Sequence, residues 1–182
     1  TFSFTSGSSV TVTDHGDLAI GVYGGATAGN GDYIWKAGGY RYSPNGLIDD
    51  IEKFATASTG NATHTGDLNT GVTYLMAGQS SETNGYCAGG HTGTYGPSSS
   101  AIRKWSFSSD GNSTSTASLY QNQSYTSSNS STTHGYTMGG YPSNSNAMES
   151  IEFASGGQAV VFGDDTVGRG QSSAGTSDSS KS

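Results

Sequence analysis

Hydrophobic positions in this chain come in short bursts that alternate with polar ones and then give way to turn chemistry. Tyr33-Ile34-Trp35-Lys36-Ala37, Ile51-Glu52-Lys53-Phe54-Ala55 and Ile102-Arg103-Lys104-Trp105-Ser106 are three such bursts; Tyr86-Cys87-Ala88 and Tyr136-Thr137-Met138 are shorter. Aromatic and β-branched residues in this arrangement suit a pleated strand with one buried face. Between them stand Asn45-Gly46, Asp110-Gly111-Asn112 and serine-rich stretches, all turn signals. The pattern predicts an all-β chain of short antiparallel strands.

The bursts recur in phase. Double glycines close them at Gly38-Gly39, Gly89-Gly90 and Gly139-Gly140, spaced 51 and 50 residues apart. An aromatic follows the doublet as Tyr40 and Tyr141, and His91 takes the middle place. Ile51-Glu52-Lys53-Phe54 matches Ile102-Arg103-Lys104-Trp105 and, more loosely, Ile151-Glu152-Phe153-Ala154. Phe2-Ser3-Phe4-Thr5-Ser6-Gly7 aligns with Trp105-Ser106-Phe107-Ser108-Ser109, so the chain enters a unit part-way through. Gly16-Asp17-Leu18 returns as Gly66-Asp67-Leu68 and, degraded, as Ala117-Ser118-Leu119; Gly78-Gln79-Ser80-Ser81 returns as Gly170-Gln171-Ser172-Ser173. These landmarks divide one repeat domain, residues 1–175, into units at about 1–50, 51–101, 102–150 and a partial 151–175, with a polar tail at 176–182.

A unit of this size makes a small antiparallel sheet with a sticky face that it cannot bury alone, so units must pack on one another as a radial propeller or a stacked array. The doublets favour the propeller, since inner strands crowd near its axis. A double glycine after a hydrophobic strand, with a bulky aromatic some way beyond, resembles a kelch repeat. The set of landmarks together is similar to the kelch-like arrays in structural proteins of tailed phages, notably those of marine cyanobacteria. The resemblance implies a kelch-like β-propeller of about three and a half blades, completed by other copies or by a longer chain. It also implies a non-enzymatic virion protein in a fibre, tail or capsid-surface appendage. Such a protein would sit on the virion surface and contact other copies of itself, other virion proteins, or a host cell-surface glycan or protein. The alternative is a self-assembling extracellular scaffold or filament whose half-blades complete one another between subunits.

Composition sharpens this picture. Hydrophobic residues make up only 31% and charged residues 12%, while 29 glycines and 54 serines and threonines fill the difference. Eleven tyrosines, six phenylalanines and two tryptophans argue for order despite the low hydrophobicity. The net charge of −7, with seven Lys plus Arg, supplies no cationic face for nucleic acid or anionic lipid. The longest apolar run, Ala159-Val160-Val161-Phe162, is too short to span a bilayer, so no membrane insertion is expected. A lone Cys87 cannot form an internal disulfide and reads as a small buried residue.

Candidate chemistry is sparse. His15, His64, His91 and His134 show no ligand spacing and read as turn residues; Asp14, Asp17, Asp49, Asp50, Glu52, Asp164 and Asp165 lack the spaced calcium-loop pattern. No metal, cofactor or catalytic residue is expected. The stretch from Ser113 to Thr133 is almost wholly Ser, Thr, Asn and Gln around two tyrosines. Tyrosine among small polar residues is the chemistry of adaptable recognition surfaces and stacks well on sugar C–H faces. Tyr120, Tyr125, Asn122, Gln123 and Asn129 are therefore the candidate binding surface. Tyr40, Tyr42, Tyr74 and Tyr95 are candidates for the same role, with blade packing as their simpler use.

Overall fold

Each burst forms a strand, and within each of the three main sheets the strands lie in chain order, apart from one parallel addition. The computed structural model describes residues 13–69, 73–93, 96–142 and 146–164, and these contain strands and turns but no helix. Sheet 1 comprises β1 (Ala26–Gly29), β2 (Tyr33–Tyr42), β3 (Asn45–Ala55) and β4 (Thr63–Asp67). Next come β5 (Thr73–Tyr74), β6 (Ala77–Ser80), β7 (Asn84–Ala88), β8 (His91–Thr92), β9 (Ser99–Ser106) and β10 (Thr114–Gln123). Of these, β6, β7, β9 and β10 make sheet 2, while β5 and β8 pair with each other. The last set is β11 (Ser127–Ser130), β12 (His134–Met138), β13 (Ala147–Glu152), β14 (Gly157–Gln158) and β15 (Val160–Asp164). Sheet 3 is β11, β12, β13 and β15; β14 adds in parallel to β10 of sheet 2. The described residues form a row of antiparallel sheets and no closed ring.

Strand registers superimpose the three sheets. Ala26 pairs with Ala37 and Ala37 with Ile51; Ala77, Ala88 and Ile102 repeat the trio, as do Ser127, Met138 and Met148. The partner of Ile51 and Ile102 in the third unit is therefore Met148, and Ile151 takes the place of Phe54 and Trp105. The looser sequence match at Ile151 was three positions out of register because the connection from Gly140 to Met148 is shorter than that from Gly90 to Ile102. The sheets also fall in a different frame from the sequence units. β3, β9 and β13 run across residues 50/51, 101/102 and 150/151, where those units were divided.

Period-two alternation puts Ala26, Ala28, Trp35, Ala37 and Ile51 on one face of sheet 1, against Cys87 and Trp105 of sheet 2. The opposite face of sheet 2, with Ala77, Tyr86, Ala88 and Ile102, packs on Ile151 of sheet 3. One flat ring stack recurs in each layer: Trp35 on Phe107 and Tyr86 on Phe153, both with centroids 4.3 Å apart. Each unit thus buries its apolar face on the next.

Between the rings the sheets are joined by hydrogen bonds at repeated positions. The amide of Gly29 donates to Ser80 Oγ, and the amide of Ser80 donates to Ser130 Oγ, each at 2.9 Å. Ala62 N donates to Asp17 O, Ser113 N to Asp67 O and Ala159 N to Ser118 O. A buried charge on the third strand of each sheet, Glu52, Arg103 or Glu149, also reaches the backbone of the preceding unit. Glu52 accepts from Ala19 N and Glu149 from Tyr120 N, whereas Arg103 Nε donates to Asn69 O. These bonds satisfy backbone groups that the strand ladders leave over.

Glycine is required where backbones meet. A Cβ on Gly78 would lie 2.1 Å from the Thr27 carbonyl oxygen, and one on Gly66 would lie 2.2 Å from that of Gly111. The doublets answer a second need as well: all six, Gly38, Gly39, Gly89, Gly90, Gly139 and Gly140, have φ between +62° and +122°. They sit within β2 and just past the ends of β7 and β12, and in sheet 1 they produce a register shift between Ala37 and Gly39. Crowding adds to conformation: a Cβ on Gly89 would lie 2.5 Å from the Gln123 carbonyl oxygen, and one on Gly140 would lie 2.9 Å from that of Ser124.

Replacing Gly78 by alanine forces the first strands of sheets 1 and 2 apart. The expected cost is about 1–3 kcal/mol, read as a lower urea midpoint. Gly46→Ala meets no atom within 4 Å and should leave the midpoint nearly unchanged. Equal midpoints for the two variants would refute close backbone contact between the sheets.

Candidate binding face

Beyond the doublets, each sheet ends in one further cross-strand pair: Tyr23 with Tyr40, Tyr74 with His91, and Ser124 with Tyr141. The three pairs occupy equivalent positions, so stacking the sheets sets their rings in series. Tyr42 stacks on Tyr23 at 4.8 Å, Tyr23 meets Tyr74 at 5.8 Å, and Tyr74 meets His91 at 5.7 Å. His91 then contacts Tyr125 at 5.6 Å and Tyr141 at 6.0 Å. One aromatic series therefore crosses all three sheets. Tyr40, Tyr74 and His91 form its buried floor, while Tyr23, Tyr42 and Tyr141 stand 37%, 73% and 48% exposed.

The backbone beneath the series is held by bonds between equivalent residues. Leu75 N donates to Gly24 O, and Tyr125 N donates to Leu75 O. All three residues are left-handed, with φ of +68° at Gly24, +61° at Leu75 and +57° at Tyr125. Glycine adopts this conformation freely; a side chain there costs on the order of 1–2 kcal/mol. In the third unit that strain sets the Tyr125 ring against His91 and Tyr141.

His91 is locked. Its Nδ1 donates to the Gly96 carbonyl at 2.7 Å, leaving Nε2 to accept from Ser124 Oγ at 3.0 Å. Ser98 Oγ lies 3.0 Å from Ser124 Oγ. A serine beside an imidazole is nucleophile geometry, yet here a carbonyl rather than a carboxylate orients the ring, and Ser124 is fully buried. The trio braces the floor. Burial among the rings, then the Tyr42 hydroxyl bonded to it, pushes the Tyr23 phenol up to about 12.

The expected surface separates on inspection. Tyr125 belongs to the ring series. Tyr120 and Asn122 are exposed on β10, where Tyr120 makes none of the described ring contacts. Asn129 is half-buried on β11, and its Oδ1 accepts from Ser130 N. Gln123 requires correction: it is fully buried, and its Nε2 donates to Glu149 Oε1 at 2.7 Å, so it tethers sheet 2 to sheet 3 instead of facing solvent. Tyr40, Tyr42 and Tyr74 do join one face; Tyr95 lies outside the described residues. Tyr23, His91 and Tyr141 were missed as members of that face, although spacings of 51 from Tyr23 to Tyr74 and from Tyr40 to His91 carried the signal.

Elsewhere, Asp50 and Asp67 face each other across β3 and β4, with His64 Nε2 at 3.6 Å and 3.0 Å from their Oδ1 atoms. The Asp67 hydrogen bond raises His64 above its ordinary value. The other histidine read as an equivalent turn residue, His15, bonds instead to the Ala55 carbonyl. Cys87 is wholly buried, and burial pushes its thiol up to about 11. Compared with known proteins, the chain matches no family model and no curated protein.

Burial raises the Glu149 carboxyl, against the opposing bonds from Tyr120 N and Gln123. A raised carboxyl holds its proton more tightly folded than unfolded, so its penalty is absent below about pH 4.5 and grows as pH rises through the folded value. Glu149→Gln should therefore gain in urea midpoint relative to the parent as pH is raised from 4.5. A difference that stays flat with pH would show that Glu149 is not held above its ordinary value.

Proposed function

We propose that this chain is a non-enzymatic contact module, and that it serves on the surface of a tailed-phage virion, in a fibre, tail or capsid appendage. The observation that carries the first part is the aromatic series: exposed tyrosines over a buried aromatic floor, continued in phase across three sheets. Rigid tyrosines give contact area at low entropic cost, which suits recognition of a host-surface glycan or protein, or of a neighbouring virion subunit. The second part rests on the resemblance of the repeat landmarks to kelch-like phage proteins. In this reading the row of sheets is a section of a kelch-like propeller, completed by other copies or by a longer chain.

The test is hydroxyl-radical footprinting of intact phage particles, with mass spectrometry of the purified virions. Peptides of this chain should be found in the particles. Tyr23, Tyr42 and Tyr141 should be oxidised less once particles engage host cells or when the chain sits among its neighbours than in the free chain. Particles lacking the chain would overturn the virion assignment, and equal oxidation in both states would overturn the contact face.

A second reading, a self-assembling extracellular scaffold, is favoured by the last strand among the described residues. Val160, Val161 and Phe162 of β15 are exposed at 64%, 38% and 54%, and Phe162 packs edge-on to Tyr136 of sheet 3. An apolar edge of this kind invites pairing with another copy. Light scattering on the size-separated chain should then show mass rising with concentration, and Phe162→Asp should abolish the rise. A constant monomer mass would exclude this reading.

A further inference from the structure

We propose that Asp50, His64 and Asp67 form a site for one divalent transition-metal ion of the zinc class, and that the bound ion fastens β4 to β3. The site is separate from the aromatic face, since none of its residues belongs to the ring series.

The geometry begins with the strand pair. Asp50 on β3 pairs directly with Asp67 on β4, and Glu52 pairs with His64. His64 and Asp67 are three residues apart, a spacing that sets side chains on opposite faces of a regular strand. A register shift between Ile51 and Glu52 leaves one extra residue on β4 and brings both to the same side. His64 Nε2 thereby lies 3.0 Å from Asp67 Oδ1 and 3.6 Å from Asp50 Oδ1, and the three atoms fall within 4.8 Å of one another. Zinc bonds of about 2.0–2.2 Å set ligand atoms roughly 3.3–3.6 Å apart around a tetrahedral ion, so small side-chain turns complete the triangle.

The repeat shows that the fold itself does not need these side chains. The same shift recurs in sheet 2 between Ser115 and Ala117. There the register sets Ala101, Ser115 and Ser118 in the places of Asp50, His64 and Asp67. Sheet 3 carries Ala147, Val161 and Asp164 at those places. Sheet 1 holds the full donor set on a framework that its neighbours build without it.

Electrostatics points the same way. Like charges opposed across a strand pair destabilise it, and Asp50 and Asp67 are so opposed. Among the described residues, His64 is the ion-pair partner of each. Glu52 adds a third carboxyl on the same face of β3. It is 1% exposed, its Oε1 has no hydrogen-bond partner, and Lys36 Nζ stands off at 3.9 Å. Its charge reaches the His64 ring. An ion seated between Asp50 and Asp67 answers this concentration of negative groups.

The donor set selects the ion. An imidazole nitrogen beside two carboxylates suits zinc and its transition-metal neighbours, whereas calcium and magnesium favour oxygen alone. A carboxylate only accepts, so Nε2 carries the proton in the bond from His64 to Asp67. The ion takes that proton's place, and the proton leaves to solvent. The His64 side chain is 52% exposed, which gives the ion a way in and leaves its fourth position to water.

The experiment is calorimetric titration of the full chain with Zn²⁺, with Ca²⁺ and Mg²⁺ as comparison ions, followed by proton–nitrogen NMR of the imidazoles. Zn²⁺ should bind one per chain, move the His64 ring signals before those of His15, His91 and His134, and raise the urea midpoint. Asp50→Ala, His64→Ser and Asp67→Ser install the residues that sheet 2 carries at these places, so each variant should fold. Each should weaken Zn²⁺ binding at least about tenfold, since a direct ligand matters no less than an outer-shell partner. His134→Ser, outside the cluster, should leave binding unchanged. Failure to bind Zn²⁺, equal or tighter binding of Ca²⁺ or Mg²⁺, undiminished affinity in His64→Ser, or a first response at another histidine would overturn the site. Binding at His64 without a rise in the urea midpoint would overturn the fastening of β4.

Discussion

Close backbone approach between successive sheets is the constraint on which the rest of this structure depends. Thr27 lies against Gly78, and the Gly66 backbone lies against Gly111, at distances that leave no room for a single carbon. Sheets this close are bound by seryl hydroxyls and main-chain groups as much as by apolar bulk. That is why a chain with 31% hydrophobic residues folds without a disulfide, and why serine and glycine, ordinarily signs of disorder, are structural here. Large side chains fill the space that remains, some as stacked pairs such as Trp35 with Phe107 and others singly, such as Trp105 and Ile102.

The same proximity creates the aromatic face. Tyr23, Tyr74 and Ser124, like Tyr40, His91 and Tyr141, are neighbours only because the sheets repeat in register. A slip of one residue at any interface would turn alternate rings to the other side. The left-handed sites at Gly24, Leu75 and Tyr125 tie this region with one backbone bond per step. Non-glycine residues persist in that conformation where surrounding structure compels it, and Tyr125 is compelled at the point where its ring completes the face.

Much of the architecture was legible in the sequence. The doublets, the Gly-Asp-Leu turns and the strand bursts announce a repeating all-β chain, because turn glycines and apolar alternation are local properties. What was misread depended on partners far along the chain. Gln123 looks like a surface amide within a polar run, yet Glu149 draws it into the junction of two sheets. Ile151 invites alignment with Ile102, and only the pairing of Met138 with Met148 shows that a shortened connection has moved the register. His64 and His15 precede similar turns, but one faces two carboxylates and the other a carbonyl. The ring series lay in plain sight as equal spacings, although spacing alone does not say whether a tyrosine is packed or presented.

The charges at the third-strand position, Glu52, Arg103 and Glu149, bear on how such an array can change over generations. Each is matched to its predecessor: the carboxylates meet an amide proton and the guanidinium meets a carbonyl oxygen. A unit transplanted beside a different neighbour would set carboxylate against carbonyl, or guanidinium against amide, in a dry seam. Recombination among these similar segments is therefore filtered by polarity: the two glutamate units meet their predecessors alike, and the arginine unit differs from both.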